Sequence, residues 1–102
     1  LKLVLFRNYA RIVDCARTGD RMPLEERLIQ RAQAAQVPKQ CAAALSELMR
    51  ACAASGTYKS NPIERIFRDV HQARGHIANN TDTYARIHGA VMLGLSNPDP
   101  FV

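Results

Sequence analysis

Asn61-Pro62-Ile63-Glu64-Arg65-Ile66-Phe67-Arg68-Asp69-Val70-His71-Gln72-Ala73-Arg74-Gly75-His76 decides the fold class, because the start of a helix is written into it. Asn61 offers a side-chain oxygen as N-cap. Pro62 takes the first helical position, where a missing N–H costs nothing. Glu64 stands at N3, the spacing of a capping box with Asn in place of Ser or Thr. At about 100° per residue, Ile63, Ile66, Phe67, Val70, Ala73 and Ile77 fall on one apolar face. Arg65, Asp69, Gln72 and His76 make a second stripe away from it, and His71 lies on the far flank, too far round to share a metal with His76. Arg65 with Asp69, and Glu64 with Arg68, are one turn apart and can pair. Two readings of the polar stripe stay open: a solvated, salt-bridged face, or the wall of an active site ending in His76. The pattern by itself favours the first.

Outward from this helix the chain is helical in both directions. Leu1, Leu5, Tyr9, Ile12 and Ala16 recur at helical spacing, and Gly19 suits the left-handed stop after Thr18. A second helix begins at Pro23, with Glu25 and Glu26 at the positive end of its dipole. Its apolar stripe runs through Leu24, Leu28, Ala32, Ala35, Ala42, Leu45, Met49 and Cys52 as far as Ala54. The stripe keeps its phase across Pro38, which predicts one long kinked helix rather than two. Gly56 is expected to cap it. Ser55-Gly56-Thr57-Tyr58-Lys59-Ser60 reads as a loop, either a solvated turn or a polar contact to a phosphate or cofactor ring. Asn79-Asn80-Thr81-Asp82 makes a turn and another N-cap. A last helix presents Tyr84, Ile87, Val91 and Leu95, with Gly89 placed for close approach of a backbone or ligand. Ser96 to Val102 is expected to lack regular structure. Four helices with short connections predict an all-α, up-down four-helix bundle, one domain over residues 1–102.

Of the 102 residues, 47% are apolar and 23% charged, the balance of a globular chain. The net charge is +5. The arginines are scattered without a basic block or aromatic interleaving, so no nucleic-acid partner is expected. No stretch approaches the roughly 18 apolar residues of a membrane span, and none is expected. The three cysteines, Cys15, Cys41 and Cys52, are odd in number and lack ligand spacing. They read as small apolar residues with reduced thiols, with no metal site and an intracellular, cytoplasmic location. The chain opens at Leu1, without Met, inside an apolar helical pattern, and is expected to be a piece of a longer protein.

Glu64-Arg65-Ile66-Phe67-Arg68-Asp69 after an Asn-Pro turn, with His76 seven residues on, resembles the C-terminal helical domain of the acyl-CoA dehydrogenase superfamily over essentially the whole chain. Two features depart from the dehydrogenases themselves. Arg74 to Asn80 stands where they carry a Gly-Thr segment with the catalytic glutamate nearby, and no glutamate follows Glu64. Ala54 to Ser60 replaces their phosphate-contacting Gln-x-x-Gly-Gly. The Arg-Asp-x-His-x-x-x-x-His pattern is instead similar to oxygenase components of two-component flavin-dependent monooxygenases. Within that group it is most like those that hydroxylate a phenolic secosteroid in bacterial cholesterol breakdown.

That resemblance implies a reduced flavin, FMNH2 or FADH2, delivered by an NAD(P)H-flavin reductase. It also implies O2 as co-substrate, a C4a-hydroperoxyflavin that hydroxylates ortho to a phenol, and a homotetramer. It implies that catalytic His76 lies against the flavin with Ile77 beside it, that Ala54 and Ser55 also reach the cofactor, and that Arg65, Arg68 and Asp69 serve packing and pairing between subunits. The fragment alone would be inactive, since the phenol pocket would lie outside it. The alternative is the C-terminal domain of an FAD-dependent acyl-CoA dehydrogenase.

Overall fold

The computed structural model describes residues 1–99. Among these it contains four α-helices: α1 (Lys2–Thr18), α2 (Leu24–Cys52), α3 (Pro62–Arg74) and α4 (Thr81–Met92). Two 3-10 segments, Ala53–Thr57 and Ile77–Asn79, follow α2 and α3. No described residue is in a strand, so the all-α expectation holds. No helix among the described residues is long and apolar enough to cross a membrane. Ser96 to Asp99 is irregular as expected; Pro100, Phe101 and Val102 of that tail lie outside the described residues.

The chain forms two compact units. The first comprises residues 1–35 and the chain from Thr81 onward. α1 ends where glycine allows it to: Gly19 takes φ 76°, and its N–H donates to Cys15 O. The chain then reverses. Arg11 meets Glu26 at 2.8 Å, and Asn8 Nδ2 donates to Gln33 at 2.9 Å, so α1 and the first half of α2 run antiparallel. The Glu26 hydrogen bond holds the Arg11 guanidinium above its ordinary pKa. α4 is antiparallel to the same stretch of α2. Arg31 donates to Tyr84 Oη at 2.8 Å with its guanidinium 4.4 Å from the ring centroid, and Thr81 Oγ1 donates to Ala35 O at 3.1 Å. Pro38 removes the helical donor to the carbonyl of Ala34 and disturbs the turn around it; the Thr81 hydroxyl bonds the carbonyl next to that gap. Cys15, Met22, Leu28, Ala35 and Ile87 are the buried apolar residues of this unit.

Within α2, Leu28, Ala35 and Ala42 are all essentially buried, at seven-residue intervals on both sides of Pro38. The unbroken seam is why one helix forms. The three thiols are free; Cys15 is buried, and Cys41 and Cys52 are half-buried.

The second unit spans residues 36–80. Here the sequence expectation needs correction at the end of α2. The left-handed position belongs to Ala53, at φ 47°, and Gly56 lies buried inside the 3-10 segment. A β-carbon on Gly56 would meet Cys52 Cβ at 3.0 Å and Met49 Sδ at 3.3 Å. A side chain at 56 would press on both, so glycine fits there for space, and the stop falls three residues earlier. An L-residue in the left-handed region costs roughly 1–2 kcal/mol, whereas glycine there loses about 0.5–1 kcal/mol of backbone entropy. Ala53→Gly is accordingly expected to stabilise the fold by up to about 1 kcal/mol. Ala51→Gly, two residues earlier on the exposed helix surface, should cost about 1 kcal/mol. Chemical denaturation of the two variants checks the opposite signs.

Gly89 is also corrected: nothing lies within 4 Å of a β-carbon built there, so no close approach among the described residues explains it. Leu95 falls beyond α4 and is exposed.

Candidate functional site

Every residue assigned to chemistry from the sequence lies in the second unit. α3 starts as its sequence dictates. Asn61 Oδ1 accepts from Ile63 N at 3.1 Å, and Pro62 fills the first turn. The reciprocal half of the capping box does not form. Asn61 N–H donates to Tyr58 O at 2.8 Å, and Glu64 turns to Arg68 at 2.8 Å. A nearby charge and a nearer carbonyl have taken both partners. Asn61 Nδ2 also donates to Ser55 O at 3.1 Å, tying the preceding 3-10 segment to the start of α3. The loop expected over residues 55–60 is thus partly ordered. Ser55 Oγ donates to Cys52 O at 2.6 Å, and Thr57 Oγ1 donates to Ala54 O at 2.8 Å. Ala54 and Ser55 are exposed, but the Ser55 hydroxyl proton is already committed to the backbone.

The polar stripe of α3 is the ordinary face its spacing favours. Arg65 and Asp69 pair at 3.5 Å, and both pairs along this helix are i,i+4 contacts of exposed arginines. Such pairs are worth only about 0.3–0.5 kcal/mol each. The apolar stripe is not a buried one: α3 has no buried residue, and Ile66 is 48% exposed. His71 lies against Phe67, ring centroids 4.0 Å apart, with Nδ1 2.9 Å from Phe67 O.

His76 is not on the helix. α3 stops at Arg74, Gly75 remains right-handed, and His76 turns extended at φ −66°, ψ 138°. Two features of the sequence that periodicity does not register cause the break. His76 caps the next 3-10 segment, its Nδ1 accepting from Ala78 N at 3.1 Å. Asn79 Nδ2 reaches back to Ala73 O at 2.7 Å. Ile77 therefore leaves the apolar face of α3 and stands 82% exposed beside His76.

A neutral imidazole has one N–H, so a ring whose Nδ1 accepts carries its proton on Nε2. His76 thus offers an exposed Nε2–H donor next to an exposed aliphatic side chain. That pair suits a flat conjugated ring with polar atoms at its edge, and a flavin meets that description. The other predicted contacts, Ala54 and Ser55, lie beyond the opposite end of α3. With 13 residues in that helix, the two clusters are separated by roughly 20 Å along its axis. The four residues form two separate clusters, one at each end of α3.

A cavity of about 430 Å³ in the first unit, which no sequence pattern announces, has Leu5, Tyr9, Ile12, Cys15, Met22 and Arg27 among its lining residues. Arg27 Nε is buried without a partner among the described residues. None of the predicted site residues lines this cavity.

Comparison with known proteins gives a consistent set of relatives. Residues 1–81 match the family model for acyl-CoA dehydrogenase, C-terminal domain. Over 62 residues, 61% of the chain, the sequence is 34% identical to the p-hydroxyphenylacetate 3-hydroxylase, oxygenase component, of Acinetobacter baumannii. The fold is similar to that of the HsaA monooxygenase from M. tuberculosis, with a TM-score of 0.89 and 27% identity over 97% of this chain. It is also similar to the 3-HSA hydroxylase from Rhodococcus sp. RHA1, with a TM-score of 0.86 and 25% identity over 93% of this chain. The chain spans 14% of the first of these proteins and 26% and 25% of the two solved chains.

Proposed function

The chain belongs to the family of acyl-CoA dehydrogenase C-terminal domains, and we propose that it is the C-terminal, flavin-contacting domain of the oxygenase component of a two-component monooxygenase. The observation that carries this reading is the exposed His76–Ile77 turn. It presents an imidazole N–H beside an aliphatic side chain, and no glutamate follows Glu64 to serve as the base of a dehydrogenase. The names of the relatives, a monooxygenase and two hydroxylases, support the same class.

When bound, reduced flavin supplies the two electrons that split O2, one oxygen atom entering the ring ortho to a phenol and the other leaving as water. The residues of this chain have simpler tasks. His76 holds a proton at Nε2 and donates it as a hydrogen bond toward oxygen at the cofactor. Ile77 covers the apolar ring face beside it and excludes water. Ala54 and Ser55, at the far end of α3, meet a different part of the cofactor or a second cofactor molecule. The phenol is a secosteroid by similarity to the 3-HSA hydroxylase, and FMN or FAD serves as the flavin. An NAD(P)H-flavin reductase delivers it, in keeping with the oxygenase-component name of one relative. A homotetramer is proposed from the resemblance, and the apolar side chains exposed on α1, with Leu3 85% and Phe6 62% exposed, leave a face for another surface to cover. Arg65, Arg68 and Asp69 stand on the outside of α3, available to pairing between subunits.

The test uses the full-length protein, a flavin reductase, NAD(P)H and a phenolic secosteroid. Hydroxylated product is expected only when reduced flavin is supplied. Oxidation of an acyl-CoA with an acceptor dye and no reductase would establish the dehydrogenase alternative instead.

A further inference from the structure

We infer that Asn79 is the positioning residue for His76, fixing both the turn that presents the imidazole and the ring nitrogen that carries its proton; the consequence for turnover rests on the flavin reading above. The geometry is a closed set of four bonds. Ala73 O, at the end of α3, accepts from His76 N at 3.2 Å and from Asn79 Nδ2 at 2.7 Å. Asn79 N donates to His76 O at 2.8 Å. The turn so closed brings Ala78 N–H to 3.1 Å from His76 Nδ1. A backbone N–H only donates, so Nδ1 keeps its lone pair and the proton resides on Nε2. Asn79 touches His76 at both of its backbone groups, directly or through Ala73 O, yet never at the ring. It acts on the imidazole only through the turn.

The same chain holds an internal contrast. His71 Nδ1 lies 2.9 Å from Phe67 O, and a carbonyl only accepts, so His71 carries its proton on Nδ1. Two histidines five residues apart are thereby set to opposite tautomers by backbone groups of opposite kind. At His76 the outcome is a donor on the outward-facing nitrogen, the form able to hydrogen-bond a cofactor oxygen without prior protonation.

The test is nitrogen NMR of the full-length protein labelled with 15N-histidine, at alkaline pH, with the His76 signal identified by its loss in His76→Gln. The wild type is expected to show the Nε2–H form at His76 and the Nδ1–H form at His71. Asn79→Asp keeps the shape but removes the donor to Ala73 O. It should shift the His76 ratio toward Nδ1–H by about fivefold, the weight of one ordinary hydrogen bond, while His71 is unmoved. Ala78→Pro deletes the N–H that faces Nδ1 and should shift the ratio the same way. In turnover, Asn79→Asp is expected to lower product formed per reduced flavin consumed, without raising the KM for the phenol. The inference is overturned by an Nδ1–H or evenly mixed His76 in the wild type, or by an Asn79→Asp protein with an unchanged ratio. Failure of the flavin reading looks different: the tautomer still answers to Asn79, but His76→Ala leaves product formation untouched.

Discussion

His76→Ala in the full-length protein should reduce hydroxylated product per reduced flavin consumed by roughly 10²-fold, the loss seen when one preorganised donor to a developing oxyanion is removed. Flavin oxidation itself should continue, with the missing oxygen recovered as hydrogen peroxide. The expectation follows from the outward Nε2–H: its partner nitrogen is occupied by Ala78 N, so no other proton of the ring can serve. His76→Gln retains an N–H donor on a longer, less constrained side chain, and should recover part of the product yield. The effect is to be read from the ratio of product to peroxide, since a misfolded variant would lower both. Equal ratios in His76→Ala and wild type would remove His76 from the chemistry. Arg65→Ala provides the contrast on the same helix. Its pair with Asp69 is exposed at both ends, and its loss should leave the ratio unchanged within one subunit.

Leu28→Ala should lower stability by about 3 kcal/mol, within the 2–5 kcal/mol range of buried leucine truncations. Leu28 is 1% exposed and is the largest fully buried side chain among the described residues. A side chain so fully buried leaves a cavity when truncated, and the surrounding structure refills it only in part. Because domains are stable by only about 5–15 kcal/mol, this one truncation removes a sizeable part of the total. The denaturant midpoint should fall with an unchanged slope. Leu28→Met, which conserves volume, should cost less than about 1.5 kcal/mol. Equal midpoints for Leu28→Ala and wild type would show that the seam is not where the stability of the fold resides.

The starts of α1, α2 and α3 were legible to within a residue because they are chemically marked, whereas α3 and α4 end about three residues before their apolar patterns do and α4 begins inside the expected Asn79–Asp82 turn. Gly19 at φ 76°, Asn61 with its oxygen on Ile63 N, and Pro62 in the first turn act within four residues of where they stand. Pro38 was legible for a different reason: the seven-residue seam of Leu28, Ala35 and Ala42 outweighs one missing hydrogen bond. The conformation of His76 was not legible. Helical spacing places it in line with Arg65, Asp69 and Gln72, whereas it stands beyond the helix, held by Ala78 and Asn79. A periodic pattern has no signal for a side chain that bonds backwards to a carbonyl six residues away. The stop at Ala53 was missed similarly, because Gly56 looks like the conformational residue and is in fact the small one.

The sequence by itself determined that the chain is all-α, where α1, α2 and α3 begin to within a residue, and that no glutamate follows Glu64. Those features depend on propensity, caps and composition, all set by neighbours along the chain. Tertiary structure decided what is buried and which polar groups meet. Asn8 pairs with Gln33 across 25 residues, Thr81 with Ala35 across 46 and Arg31 with Tyr84 across 53. It also placed Ser55 and His76 at opposite ends of α3. A helix separates its two ends by 1.5 Å for every residue it contains, and that separation exists only once the helix has formed.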